Sequence, residues 1–109
     1  MDKVQLKKGN YKGIKKLLFL KDYLIGEDLR IIVDWCNKNL TDNVFIGKCE
    51  FGRSFETIDS LDEYYDYLQG YHSNPIFVFT EKSDMMAFKL RWSDFVITRK
   101  EMRLSWAYD

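Results

Sequence analysis

The sequence predicts a single compact α+β domain, a small antiparallel or mixed sheet with helices packed on it. Three observations lead there. A chain of 109 residues admits one hydrophobic core and not two. Apolar residues recur at helical spacing over 29–40 and 58–68, whereas 43–51 and 76–80 carry short apolar runs of strand length. One proline and six glycines leave no tract with a disordered composition, and 46% apolar residues, with eight Phe, seven Tyr and three Trp, supply a core.

Asn10 is placed to cap a first helix over Tyr11–Leu24, with Ile14, Leu17, Leu18 and Leu24 on one face. Gly13 weakens that helix, and a β-hairpin turning at Gly9-Asn10 is the competing expectation. Gly26 breaks the pattern before the clearest helix of the chain. Glu27 and Asp28 sit in its first turn, where the helix dipole favours acids, and Leu29, Ile32, Val33, Cys36 and Leu40 form its stripe beside Trp35.

Residues 43–51 alternate as a strand, with Phe45, Cys49 and Phe51 on one face and Val44 and Ile46 on the other; Gly52 ends it. Ile58, Leu61, Tyr65 and Leu68 make the next helical stripe, which Gly70 terminates. Asn74-Pro75 turns the chain into Ile76–Thr80, a buried strand by length. Residues 83–92 fit either periodicity. The absence of a β-branched residue tips them to a helix, capped by Ser83 or Asp84, with Met85, Phe88 and Trp92 on one face. Phe95–Thr98 reads as a last short strand, and Lys100–Trp106 as a closing helical turn or edge strand. The predicted order is α-α-β-α-β-(α or β)-β. The predicted core is Leu29, Ile32, Val33, Cys36, Phe45, Ile58, Leu61, Leu68, Phe77, Phe79, Phe88, Leu90 and Trp92.

Charge is neutral in total yet sorted along the chain. Residues 1–21 hold seven lysines against Asp2, residues 22–66 hold eleven acids against four bases, and 67–109 hold five acids and six bases. Such segregation suggests opposed electrostatic faces that steer a partner or a second copy of the chain. The best candidate behind the N-terminus, Leu17–Leu20, is four residues, far below the ~20 of a membrane span or the ~7–15 of a signal-peptide core. The expectation is therefore a soluble, cytoplasmic protein with no membrane partner, in which Cys36 and Cys49 stay reduced.

Reactive chemistry finds little support. His72 is the single histidine and lies in an expected loop, so neither a metal site nor a thiol–imidazole pair is indicated. No glycine-rich phosphate loop occurs. Asp59, Asp62, Glu63 and Asp66 all fall off the apolar stripe of their helix, which describes a solvated face rather than a desolvated acid–base pair. The expectation is a protein without catalysis, cofactor or metal.

The same acids, with Tyr64 and Tyr67 beside them, make a contact surface: Asp59, Asp62, Glu63, Tyr64, Asp66 and Tyr67 are the expected partner-binding residues. Tyr71 lies close behind. The alternative is nucleic-acid binding through Lys7, Lys8, Lys12, Lys15 and Lys16, joined by Lys89 and Arg91. Against it stands a sequence pI of about 6.6, without the basic surplus of such modules.

Phe77-Val-Phe79, Asp84, Ala87 and Phe88-Lys-Leu-Arg-Trp92 together resemble a stretch in small uncharacterised proteins of tailed bacteriophages. In those, a strand with alternating aromatics precedes an acidic turn and a Phe-Lys-Leu-x-Trp-like run. The resemblance covers residues 76–92, and Ser93 stands where those sequences often carry glycine. It implies a viral or mobile-element origin and action inside a bacterial cell; with the sorted charge and the lack of a catalytic cluster, the expected role is a phage-encoded modulator or inhibitor of a host factor, acting through the acidic-aromatic surface. It implies no enzymatic activity.

Overall fold

The computed structural model describes residues 2–7, 13–48, 58–70 and 74–97. Its elements are β1 (Val4–Leu6), β2 (Leu17–Leu20), α1 (Gly26–Asn39), β3 (Val44–Lys48), α2 (Leu61–Gly70), β4 (Pro75–Phe79), α3 (Lys82–Arg91) and β5 (Val96–Ile97), with a 3-10 turn at Ser93–Phe95. The five strands form one sheet in the order β1-β3-β4-β2-β5. β1 and β3 are parallel; the other three pairs are antiparallel. The fold is α+β with a mixed sheet.

Alternation along the strands divides the apolar residues between two sheet faces. Val4, Leu20, Val44, Ile46, Phe77 and Phe79 join the main core with Leu29, Ile32, Val33 and Cys36 of α1, Tyr64, Tyr65 and Leu68 of α2, and Phe88 of α3. All three helices therefore pack on one face. The opposite face gathers Leu17, Ile76 and Val78, with Phe19, Phe45 and Ile14 against them.

The first expected helix is the main correction. Leu17–Leu20 is a strand, hydrogen-bonded to β4 on one side and β5 on the other. Lysine and leucine favour a helix locally, but burial of both edges of a four-residue apolar run overrides that preference. Gly13 has a φ of 82°, a left-handed turn that glycine adopts without strain, and a continuous helix from residue 11 cannot pass through it. The hairpin alternative fails as well, because β3 and β4 separate β1 from β2. Its turn, Gly9-Asn10, lies outside the described residues.

α1 forms as its stripe predicts. The Asp28 carboxylate accepts the Ile25 amide at 3.2 Å, occupying a donor at the helix start. At the other end the Lys3 ammonium donates to the Leu40 carbonyl, a cation where the dipole is negative. Asn37 Oδ1 accepts the Lys3 and Val4 amides at 2.8 and 3.1 Å, tying the edge strand β1 to α1.

Residues 82–91 are helical, as the absence of β-branching suggests, but neither Ser83 nor Asp84 is the cap. Glu81 holds that position, and Asp84 lies inside the first turn, 4% exposed. Leu90, expected in the core, is 81% exposed, because the helical phase that buries Phe88 turns Leu90 outward. Leu61 and Phe45 are half-buried, Phe45 on the far sheet face. Trp35 meets Phe88 and Trp92 edge-on at 6.3 and 6.0 Å, joining α1 to α3. Phe95 closes the 3-10 turn rather than opening the strand, leaving β5 two residues long. Cys49, Phe51, Gly52, Tyr71, His72, Thr98 and the expected closing element at Lys100–Trp106 lie outside the described residues.

Candidate functional site

The start of α2 fixes the acidic surface. Ser60 Oγ accepts the Glu63 amide at 3.2 Å, and the Glu63 carboxylate accepts the Asp59 amide at 3.3 Å. The first bond satisfies a donor of the opening turn, and the second ties the residue before the cap to the helix. The helix then buries Tyr64, Tyr65 and Leu68, so Asp59, Asp62, Glu63 and Asp66 are exposed and Tyr67 is half-buried. The Ser60-x-x-Glu63 spacing is the sequence signal for this helix start.

α1 contributes acids that segment-wise charge counting left unplaced. Glu27, Asp28 and Asp34 are exposed along it. Arg30 joins the helices: it lies 3.4 Å from Asp62 and 3.9 Å from Glu27, and its guanidinium sits 4.6 Å over the Tyr65 ring. Burial pushes the Tyr65 hydroxyl up to about 12; Arg30 opposes this, while Asp34, Asp62 and Asp2 add to it. Carboxylates from α1 and α2, Glu27 and Asp62, thus meet at one arginine stacked on one tyrosine. Ile31 at 61% exposure, Ile25 at 48% and Tyr23 at 54% supply apolar area among them.

Tyr64 is the one expected contact residue that the structure removes. It is fully buried, and its hydroxyl donates to the Gly47 carbonyl at 2.8 Å. Tyrosine carries both an apolar ring and a polar tip, so spacing alone did not separate an interface residue from a core one.

Two buried ionisable groups sit elsewhere. The Asp84 carboxylate accepts the Thr41 amide, the Thr41 hydroxyl and the Asp42 amide, each at 3.0 Å. Burial, reinforced by Asp84, pushes the Cys36 thiol up to about 12, so it stays protonated and unreactive at neutral pH. Among the described residues no cluster of three or more His, Cys, Asp or Glu is arranged to hold a metal ion. No helix there is long and apolar enough to cross a membrane.

The described N-terminal lysines occupy two places. Lys7 follows β1, while Lys15 and Lys16 precede β2, three strand spacings (about 14 Å) across the sheet. Lys8 and Lys12 lie outside the described residues. The Lys16 carbonyl accepts the Phe79 amide, which sets Lys16 beside the start of α3. Along that flank a shallow cavity of about 370 Å³ is lined by Leu17, Leu18, Phe19, Lys89, Ser93, Val96 and Ile97.

No family model, no curated protein and no solved structure matches the chain.

Proposed function

We propose that this protein is a non-catalytic binding module that presents the acidic surface of α1 and α2 to a basic patch on another protein. The observation that carries the reading is the meeting of Glu27 of α1 and Asp62 of α2 at Arg30, which stacks on Tyr65, with exposed Ile31 next to Arg30 in the chain. Exposed carboxylates steer a cationic partner and set its register, and the apolar positions supply area to bury. Asp59 just before α2 and Asp62, Glu63, Asp66 and Tyr67 on it remain the contact residues, joined by Glu27 and Asp34 on α1. The likeness of residues 76–92 to phage proteins supports a bacterial host factor as the partner, with the bacterial cytoplasm as the place of action.

Affinity capture from bacterial lysate tests this, using wild-type protein and a D59K/D62K/D66K variant as baits. A protein retained by wild type after nuclease treatment, and lost by the variant, is the expected result. Capture that disappears on nuclease treatment would replace the reading with nucleic-acid binding. Equal capture by both baits would remove the acidic face from it.

A further inference from the structure

β2 and β5 are out of step at one end. Phe19 pairs with Ile97 and Leu20 with Val96, so Leu17 and Leu18 run on past the last described residue of β5. Leu18, Phe19, Val96 and Ile97 are all half-buried at this margin of the sheet. Lys89 of α3 and Ser93 of the 3-10 turn stand across from them, and the cavity of about 370 Å³ lies between. That volume is within the ~300–1,000 Å³ range of small-molecule sites.

The two polar side chains of the lining have no internal partner. Among the described residues Lys89 makes no ion pair and the Ser93 hydroxyl no hydrogen bond. Asp94, exposed beside Ser93, is outside the lining and is not paired with Lys89. Arg91 is occupied elsewhere, stacked 4.0 Å over the Trp92 ring. The cavity therefore joins an apolar wall to one ammonium and one hydroxyl, four residues apart on the α3 side.

Such a lining suits a molecule that is apolar along its length and anionic at one end. A carboxylate accepts from the ammonium and the hydroxyl together, and charge-assisted bonds of this kind are the stronger ones. Nucleic acid suits it poorly, since one lysine neutralises only one phosphate. A peptide would bring an amide and a carbonyl with every residue, against side chains of which only Lys89 and Ser93 are polar. We propose that this cavity binds a small aliphatic monocarboxylate, its chain along Leu18 and Val96 and its carboxylate on Lys89 and Ser93. The site is separate from the acidic surface of α1 and α2, and the inference goes beyond the function proposed above.

Calorimetric titration of the purified chain with sodium octanoate, kept below its micelle concentration, tests it. Octanoate should bind saturably and 1:1, with a Kd on the order of 1 mM or tighter. 1-Octanol, which lacks the charge, should bind about tenfold more weakly, and acetate, which lacks the chain, should give no measurable heat. Lys89→Met should weaken octanoate about tenfold and leave 1-octanol unchanged, whereas Lys89→Arg should retain octanoate binding. Both variants should melt as wild type does, because Lys89 is exposed. Amide NMR shifts on adding octanoate should centre on residues 17–19, 89–93 and 96–97. Absence of saturable binding, equal affinity for octanoate and 1-octanol, undiminished binding in Lys89→Met, or shifts centred elsewhere would each overturn the proposal.

Discussion

Asp84, in the first turn of α3, accepts the Thr41 amide and the Asp42 amide through its two carboxylate oxygens, forty-three and forty-two residues away in the chain. The Thr41 hydroxyl adds a third donor. This one side chain clamps the turn between α1 and β3 onto α3, and its buried charge is balanced by hydrogen bonds rather than by a cation.

Asp84→Ala should therefore destabilise the fold by about 1–3 kcal/mol, because it removes the acceptor of two amides and a hydroxyl that fix this turn. Asp84→Asn, which keeps one acceptor oxygen, should cost less. Urea denaturation of both variants checks the order, and equal midpoints for wild type and Asp84→Ala would contradict the clamp.

Stability should decline in alkaline solution. Cys36 keeps its proton up to about 12 in the fold, against 9.0 ordinarily, so the unfolded chain loses its proton first. This contribution is fully present below pH 9 and is lost as pH rises toward 12, with a slope of at most ~1.4 kcal/mol per pH unit. Tyr65, raised from 10.0 to about 12, acts in the same direction at higher pH. Denaturation midpoints should fall between pH 9 and about 12, and less steeply in Cys36→Ala.

Gly26 opens α1 against α2, and a Cβ there would press into the Tyr65 carbonyl, 2.9 Å from its carbon. In most helices glycine to alanine is neutral or favourable. Here Gly26→Ala should cost about 1–3 kcal/mol through overpacking. A thermal melt unchanged or raised by the substitution would show that the two helices have room to part.

Tyr64→Phe deletes the hydroxyl that meets the Gly47 carbonyl and should cost about 1–2 kcal/mol. It should leave partner affinity unaltered, since the residue is fully buried. Tyr67→Ala, at a half-buried position beside the acids, should weaken binding with little effect on stability. The contrast between neighbouring tyrosines separates interface from core.

How far the sequence reveals this molecule depends on where each choice is made. α1 is legible because its stripe and acidic first turn are local signals that agree with the tertiary outcome. β2 is not, since Leu17–Leu20 becomes a strand only through β4 and β5, each more than fifty residues away. Leu90 was misplaced for a related reason: in a strand it shares a face with Phe88 and Trp92, and in the helix that forms it does not. The acids of α2 could be placed on the surface from the stripe they avoid. The link from Asp62 to Arg30 of α1 could not, because it depends on which helix α2 packs against.

The most direct test of the acidic surface is hydrogen–deuterium exchange of the protein alone and bound to its purified capture partner. Slowed exchange should concentrate in residues 27–34 and 59–67, with β1 and residues 15–16 unchanged. Protection confined to residues 15–20 and 82–97, with α2 exchanging as in the free protein, would contradict the account.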